Sequence, residues 1–167
     1  MPQEIGSLNN LEYLDLSSNN LTGQIPYSIG HCQKIHFLKL SHNHFNGTIP
    51  NELGMLVNLQ DLLDISDNSI DGAIPSVLGG LHMLQALNVS HNALSDNIPP
   101  SFQSMNSLLY MDVSYNKLEG PVPHTRLFEE APVRWFWHNR ELCGVVNGLP
   151  PCDLSRSSTE KSLELFY

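Results

Sequence analysis

The chain has 167 residues, with 17 Asp and Glu against 8 Lys and Arg, a formal net charge of −9 and only 15% charged residues. Such a length fits one domain, or one small domain with a tail, and 41% hydrophobic residues exclude wholesale disorder. The acidic balance argues against a nucleic-acid partner, because neutralising phosphates takes clustered Lys and Arg. Polarity is carried by Asn instead: 16 Asn and 26 Leu make up a quarter of the chain, as in a repeat where both have fixed places. The opening Met1-Pro2-Gln3-Glu4 has neither the basic nor the apolar region of a signal peptide. No apolar run reaches the roughly 18–20 residues of a membrane span. There is no Gly-rich phosphate loop or kinase catalytic-loop signature, so no enzyme is expected.

Five Asn residues close Leu-rich runs at Asn19, Asn43, Asn68, Asn92 and Asn116, spaced 24, 25, 24 and 24 residues apart. In chain order, the first unit reads Leu8, Leu11, Leu14, Leu16, Asn19, Leu21, Gly23, Ile25, Pro26. The second substitutes Cys32 at the first position and Phe45 after its Asn. The third holds the extra residue, at Gln60-Asp61-Leu62-Leu63. The fourth has Asp96 in place of Gly, and the fifth runs from Met105 to Pro123. Leu14-x-Leu16 and its equivalents alternate as a short strand with one buried face, and stacked equivalents make a parallel sheet. The repeated Asn is expected to turn inward and bond neighbouring backbone, forming a ladder. One unit alone cannot bury its apolar face, so the units must stack as coils.

The frame LxxLxxLxLxxNxLxGxIPxxLGxL, best seen in Leu8–Pro26 and Leu56–Leu81, resembles the plant-type extracellular leucine-rich repeat. With the ending Leu118-Glu119-Gly120-Pro121-Val122-Pro123, then Phe128, Asn139, Leu142-Cys143-Gly144 and Pro151-Cys152, it is similar to the last repeats and C-terminal cap of plant leucine-rich-repeat receptor-like kinase ectodomains. The group of MDIS1-interacting receptor-like kinases is the one it resembles. The resemblance implies a leucine-rich-repeat solenoid of α/β type, with short parallel strands on the concave face and irregular or 3-10 turns on the convex face. Residues 1–123 are expected to form repeats (a partial coil plus five units), 124–152 the cap, and 153–167 a disordered polar tail. It also implies a disulfide between Cys143 and Cys152, while Cys32 fills a buried Leu position as a free thiol. Two Cys cannot build a structural zinc site, and neither metal nor cofactor is expected.

Pro2 stands six residues before Leu8, as Pro26 stands before Cys32, so the chain opens in the second half of a coil. The family has an N-terminal cap ahead of its repeats and a membrane helix and kinase behind them. The chain therefore reads as a truncated piece whose open first coil exposes Ile5, Leu8 and Leu11, with poor solubility as a monomer. Three sequons, at Asn20, Asn46 and Asn88, are glycan acceptors in the secretory pathway or ordinary solvent-facing residues outside it.

Residues flanking the buried strand positions point to the concave face in columns: Tyr13, Phe37, Leu62, Ala86, Tyr110; then Asp15, Lys39, Asp64, Asn88, Asp112; then Ser17, Ser41, Ser66, Ser90, Ser114. The Ser column reads as part of the repeat frame. Tyr13, Asp15, Phe37, Lys39, Asp64, Asn88, Tyr110 and Asp112 make either a peptide- or protein-binding strip, apolar anchors with a polar rim, or a solvated sheet face. Two carboxylates two coils apart, on the order of 10 Å at ~4.8 Å per strand, suit glycoside hydrolysis in spacing, but an open sheet has no pocket to raise one pKa. His42 and His91 share a slot two coils apart, too far to share a metal. No Arg lies in the five repeats, so the Arg pair with which some family receptors hold peptide carboxylates is not carried over. The resemblance implies a peptide or protein ligand, plus a co-receptor ectodomain near the cap at His124, Trp135 and Trp137; the same Trp residues also suit the cap core. It places a full-length relative at the outer face of the plasma membrane. The alternatives are a secreted inhibitor or decoy without a kinase, and a non-functional fragment.

Overall fold

A computed structural model describes residues 1–153; the tail expected from residue 153 onward lies outside the described residues except for Asp153 itself. The chain winds into stacked coils with two parallel sheets. The concave sheet has five strands in sequence order: Tyr13–Asp15, Phe37–Lys39, Leu62–Asp64, Ala86–Asn88 and Tyr110–Asp112. Each pairs only with its neighbours one coil away, in an unbroken register such as Leu14↔Leu38 and Leu63↔Leu87. The middle residue of each strand points inward, and from the second coil on Leu38, Leu63, Leu87 and Met111 are fully buried.

A second sheet, which the sequence reading did not anticipate, runs along the opposite side of the coils. Its six parallel strands are Thr22–Gln24, His44–Thr48, Ser69–Ala73, Ala93–Asp96, Lys117–Val122 and Glu141–Gly144. The chain bends here through left-handed backbone at Gly23, Gly47, Gly72 and Gly120, with φ between 71° and 83°. In the fourth coil Asp96 takes the same turn at φ 64°, which explains how Asp replaces Gly there: Asp tolerates left-handed backbone better than most residues.

Convex turns are 3-10 helices at Gln3–Ser7, Tyr27–His31, Asn51–Met55, Ser76–Gly80 and Pro100–Ser104, each preceded by a Pro in extended backbone. The buried face of every coil feeds one continuous core from Ile25 to Val146. At the N-terminal end that core thins: Leu8 is 49% exposed, and Ile5, Leu11, Leu14, Leu16 and Leu21 are half-buried.

Four of the five expected Asn residues form an inter-coil ladder, while Asn19 bonds only its own coil, and the ladder has a directional logic. The Asn68 amide NH2 donates to Ile65 O and Ser66 O of its own coil and to Leu40 O of the coil before, while its Oδ1 accepts from Phe45 N–H. Asn43, Asn92 and Asn116 repeat this set. Each of these four thus satisfies carbonyls of two coils and one N–H of the coil before.

The cap continues the same frame before it departs. Asn139 makes a sixth rung, donating to Val113 O, Phe136 O and Trp137 O and accepting from Leu118 N–H. Val113 and Tyr115 donate backbone N–H to Trp135 O and Trp137 O, so Trp135-Phe136-Trp137 lies against the fifth concave strand. The helix Arg126–Glu130, capped by Thr125 Oγ1 accepting from Phe128 N–H, sends Phe128 edge-on to Phe136 over the end of the core. The Cys143–Cys152 disulfide forms, and Cys32 is a buried free thiol.

Candidate functional site

Strand registry aligns the concave columns as the sequence predicts. Tyr13, Phe37, Leu62, Ala86 and Tyr110 are direct partners from coil to coil, and so are Asp15, Lys39, Asp64, Asn88 and Asp112. Aromatic rings mark both ends of the first column. Tyr13 stacks on Phe37 with ring centroids 4.2 Å apart, and Tyr110 meets Trp135 edge-on at 5.1 Å. Tyr13 is 58% exposed, so one face of that stack is open to solvent. Such rings are large, stiff anchors that lose little entropy on binding.

The acidic column is narrower than a reading of free carboxylates suggests, because the second and third columns are bonded to each other. Asp15 Oδ1 accepts from the Ser17 N–H at 2.9 Å and from its hydroxyl at 2.6 Å. Asp64 holds Ser66, and Asn88 holds Ser90, in the same two-bond arrangement. Asp112 Oδ1 accepts from the Ser114 N–H. The Asp/Asn-x-Ser pair is therefore a turn lock at the end of four of the five concave strands. Asp15 stays exposed and its carboxyl sits below its ordinary range, chiefly through the two Ser17 bonds and partly through the Lys39 charge. Asp112 and Asn88 are half-buried, whereas Asp64 is buried. The carboxylates of this column left open to solvent are Asp15 on the first strand and, in part, Asp112 on the fifth.

Tyr110 hydroxyl donates to Asp112 Oδ2 at 3.3 Å. Burial, then the Asp112 and Asp64 charges, push its pKa up to about 12, against a smaller downward pull from Arg134. An unfolded Tyr ionises near 10, so the native state keeps a proton that the unfolded chain releases, and stability falls as pH rises from about 10 toward 12. In an ultraviolet titration, one of the five tyrosines is expected to ionise last, and Tyr110→Phe should remove that phase. Co-titration of Tyr110 with the others would contradict this geometry.

Next to the Ser column, the residue before each Asn holds left-handed backbone: Ser18, His42, Asp67, His91, Tyr115 and His138. Asp67 fills the gap between the two His of the shared slot. His42 Nε2 lies 3.6 Å from Asp67 Oδ2 and His91 Nδ1 lies 4.0 Å from Asp67 Oδ1. The His91 and Tyr115 rings stack at 4.1 Å, as do those of Tyr115 and His138. Among the described residues no group of three His, Cys, Asp or Glu could hold a metal ion.

At the cap, Trp135 is half-buried against the core and Trp137 is 53% exposed, in line with the Ser column. His124 pairs with Glu129 at 3.1 Å, both at the surface. Sequence reasoning treated this segment as a cap and missed that it extends the concave face by a sixth line. The signal was Phe136-x-x-Asn139, which repeats Leu40-x-x-Asn43. Of the three sequons, Asn20 and Asn46 are exposed, while the Asn88 side chain is engaged with Ser90.

A family model described as leucine rich repeat matches residues 2–45 and 58–118. A probable LRR receptor-like serine/threonine-protein kinase of Arabidopsis thaliana is 42% identical over 53 residues, covering 30% of this chain and 5% of the relative. The LRR ectodomain of the Arabidopsis thaliana receptor kinase GASSHO1/SCHENGEN3, solved with CASPARIAN STRIP INTEGRITY FACTOR 2, superposes with a TM-score of 0.86 and 40% identity, over 92% of this chain and 18% of that one. The Arabidopsis receptor kinase HAESA, solved with the peptide hormone IDA and the co-receptor SERK1, gives 0.78 and 34% over 89% of this chain and 24% of that one. The BIR2 ectodomain of Arabidopsis thaliana gives 0.76 and 34%, over 83% of this chain and 72% of that one. The chain thus spans a small part of the first two relatives, and what it matches in the solved structures is ectodomain rather than kinase.

Proposed function

On the premise that this chain belongs to the leucine-rich-repeat family and is homologous to plant receptor-kinase ectodomains, we propose that it is a peptide- or protein-binding module whose concave face receives the ligand. The observation that carries the reading is the pair of aromatic anchors, Tyr13–Phe37 and Tyr110–Trp135, held at opposite ends of one sheet with Leu62 and Ala86 between them and a polar column alongside. An extended peptide lying across the coils meets a ring at each end and, along one side, the Asp15, Lys39, Asn88 and Asp112 side chains. A co-receptor ectodomain docks at the cap, where Trp137 is open and His124 is close to the surface. This is the membrane-proximal end of a longer receptor, on the outer side of the plasma membrane. Among the described residues no helix is long and apolar enough to cross a membrane. Asn20 and Asn46, which are exposed, carry glycans in this reading.

The test starts from a peptide selected on the purified chain out of a random-sequence display library, followed by hydrogen exchange of the complex. Protection of the amides around the concave strands from Phe37 to Asp112 is the expected footprint. Protection confined to the 3-10 helices of the convex side would overturn the proposal.

A further inference from the structure

The turn lock at the end of each concave strand fails in one coil. In the second coil the column residue is Lys39, which has no oxygen to offer, so the partner of Ser41 is missing. Ser41 is 1% exposed, and its Oγ is the one buried side-chain N or O without a hydrogen-bond partner among the described residues. Its backbone N–H also loses the acceptor that Ser17, Ser66, Ser90 and Ser114 all have. Two donors therefore converge on a point that a carboxylate or amide oxygen fills in the other four coils. In the first coil the same oxygen belongs to Asp15, which is exposed; in the second, Ser41 Oγ is buried, so a ligand oxygen reaches it only by displacing what covers the turn. Half-buried Lys39 stands two residues before Ser41, between its strand partners Asp15 and Asp64, with no carboxylate within 4.0 Å of its ammonium among the described residues. Phe37, two residues earlier on the same strand face, adds the Tyr13–Phe37 stack as an apolar wall.

We propose that the second coil is a carboxylate-binding subsite. One carboxylate oxygen accepts from the Ser41 hydroxyl and N–H, taking the place of the missing Asp side chain. The other oxygen lies toward Lys39 Nζ, and the carbon chain of the ligand rests on Phe37. An unsatisfied buried donor costs free energy until an acceptor arrives, which favours filling this point over an already locked turn. The subsite rests on the concave-face reading and sharpens it: the ligand segment over the second coil is acidic.

The test uses the full chain, labelled with 15N, and acetate as the probe. The Ser41 amide should shift saturably with acetate, while the Ser17, Ser66 and Ser90 amides, already bonded, should not. Lys39→Ala should weaken acetate binding about tenfold, the order expected on losing one charge-assisted bond. Lys39→Asp supplies an internal acceptor and should abolish the response; Lys39→Asn serves the same purpose should the Asp variant fold poorly. Capped tripeptides then separate the sources, one with an internal Asp and an amidated end, the other with Gly and a free C-terminus. The tripeptide that shifts Ser41 at lower concentration identifies which carboxylate the subsite takes. A Ser41 shift that never saturates, or that persists in Lys39→Asp, would overturn the proposal. Either result leaves the wider concave-face reading to its own footprint experiment, which does not depend on acetate.

Discussion

Asn92→Ala is expected to cost about 3 kcal/mol, and Asn19→Ala less than about 1 kcal/mol, although the two residues hold the same place in the repeat. Asn92 donates to Ile65 O, Val89 O and Ser90 O and accepts from Ile70 N–H. Removing it leaves the Ile70 N–H without an acceptor beside a core residue that is fully buried. Two of these carbonyls fare better, because Ile65 O of the coil before is shared with Asn68 and Val89 O of the same coil with Asn116. The loss is therefore one orphaned donor plus two or three weakened acceptors, each contributing on the order of 1 kcal/mol. Asn19 bonds only Leu16 O and Ser17 O, inside its own exposed coil. For a chain of this size, ~3 kcal/mol is a fall of roughly 6–12 °C in Tm. Equal melting temperatures for the two variants would mean that the ladder is not what couples the coils.

The second large effect is steric and comes with its own control. Gly79→Ala is expected to destabilise by about 2–3 kcal/mol, while Gly80→Ala should be neutral or stabilising by roughly 0.5 kcal/mol. A Cβ on Gly79 would stand 2.6 Å from the Ser101 backbone O and 2.6 Å from Ser101 Cβ, in the next 3-10 helix. Ser101 cannot move aside freely, because its hydroxyl donates to Ser76 O at 2.6 Å and ties those two helices together. Relief must come by prising one coil from the next, which opens the core along Leu78 and Phe102. At Gly80 nothing lies within 4 Å of the added atom, so only the unfolded chain feels the change. Gly30 and Gly54 make the same close approach, with a Cβ 2.7 Å from Glu52 O and 2.9 Å from Val77 O. The repeated Gly of the LGxL phrase is thus a spacing requirement of the convex side. Chemical melts of both variants check the pair; a Gly79→Ala chain as stable as the Gly80→Ala chain would contradict it.

The concave columns and the ladder were legible because both follow from periodicity. Strand residues alternate, the repeat is close to 24 residues, and Asn has a single job at a single place. The second sheet left no such trace. Its strands Thr22–Gln24 and His44–Thr48 are short, mostly exposed and held by backbone pairing, with Phe45 the one buried side chain among them. The Asp and Ser columns were each visible, but their bonding to one another was not. That bond is what Lys39 cannot make, which leaves Ser41 without a partner. The sixth rung was hidden by Trp135 and Trp137, which stand where the repeat elsewhere has Asp, Asn, Lys or Ser. Residues 1–123 hold 11 acidic and 3 basic residues, and three of the acidic ones, Asp15, Asp64 and Asp112, are used internally to lock turns.

The central claim is that the concave face, and not the convex side, is where this chain meets its ligand. It is tested most directly by the affinity of one library-selected peptide for four single variants. Phe37→Ala and Tyr110→Ala remove the two anchors, and each should weaken binding by about tenfold or more, the cost of losing one aromatic contact at the centre of an interface. Tyr27→Ala and Val77→Ala remove exposed side chains of the convex helices and should leave affinity unchanged. Binding that survives both concave substitutions and is lost in either convex one would contradict the account.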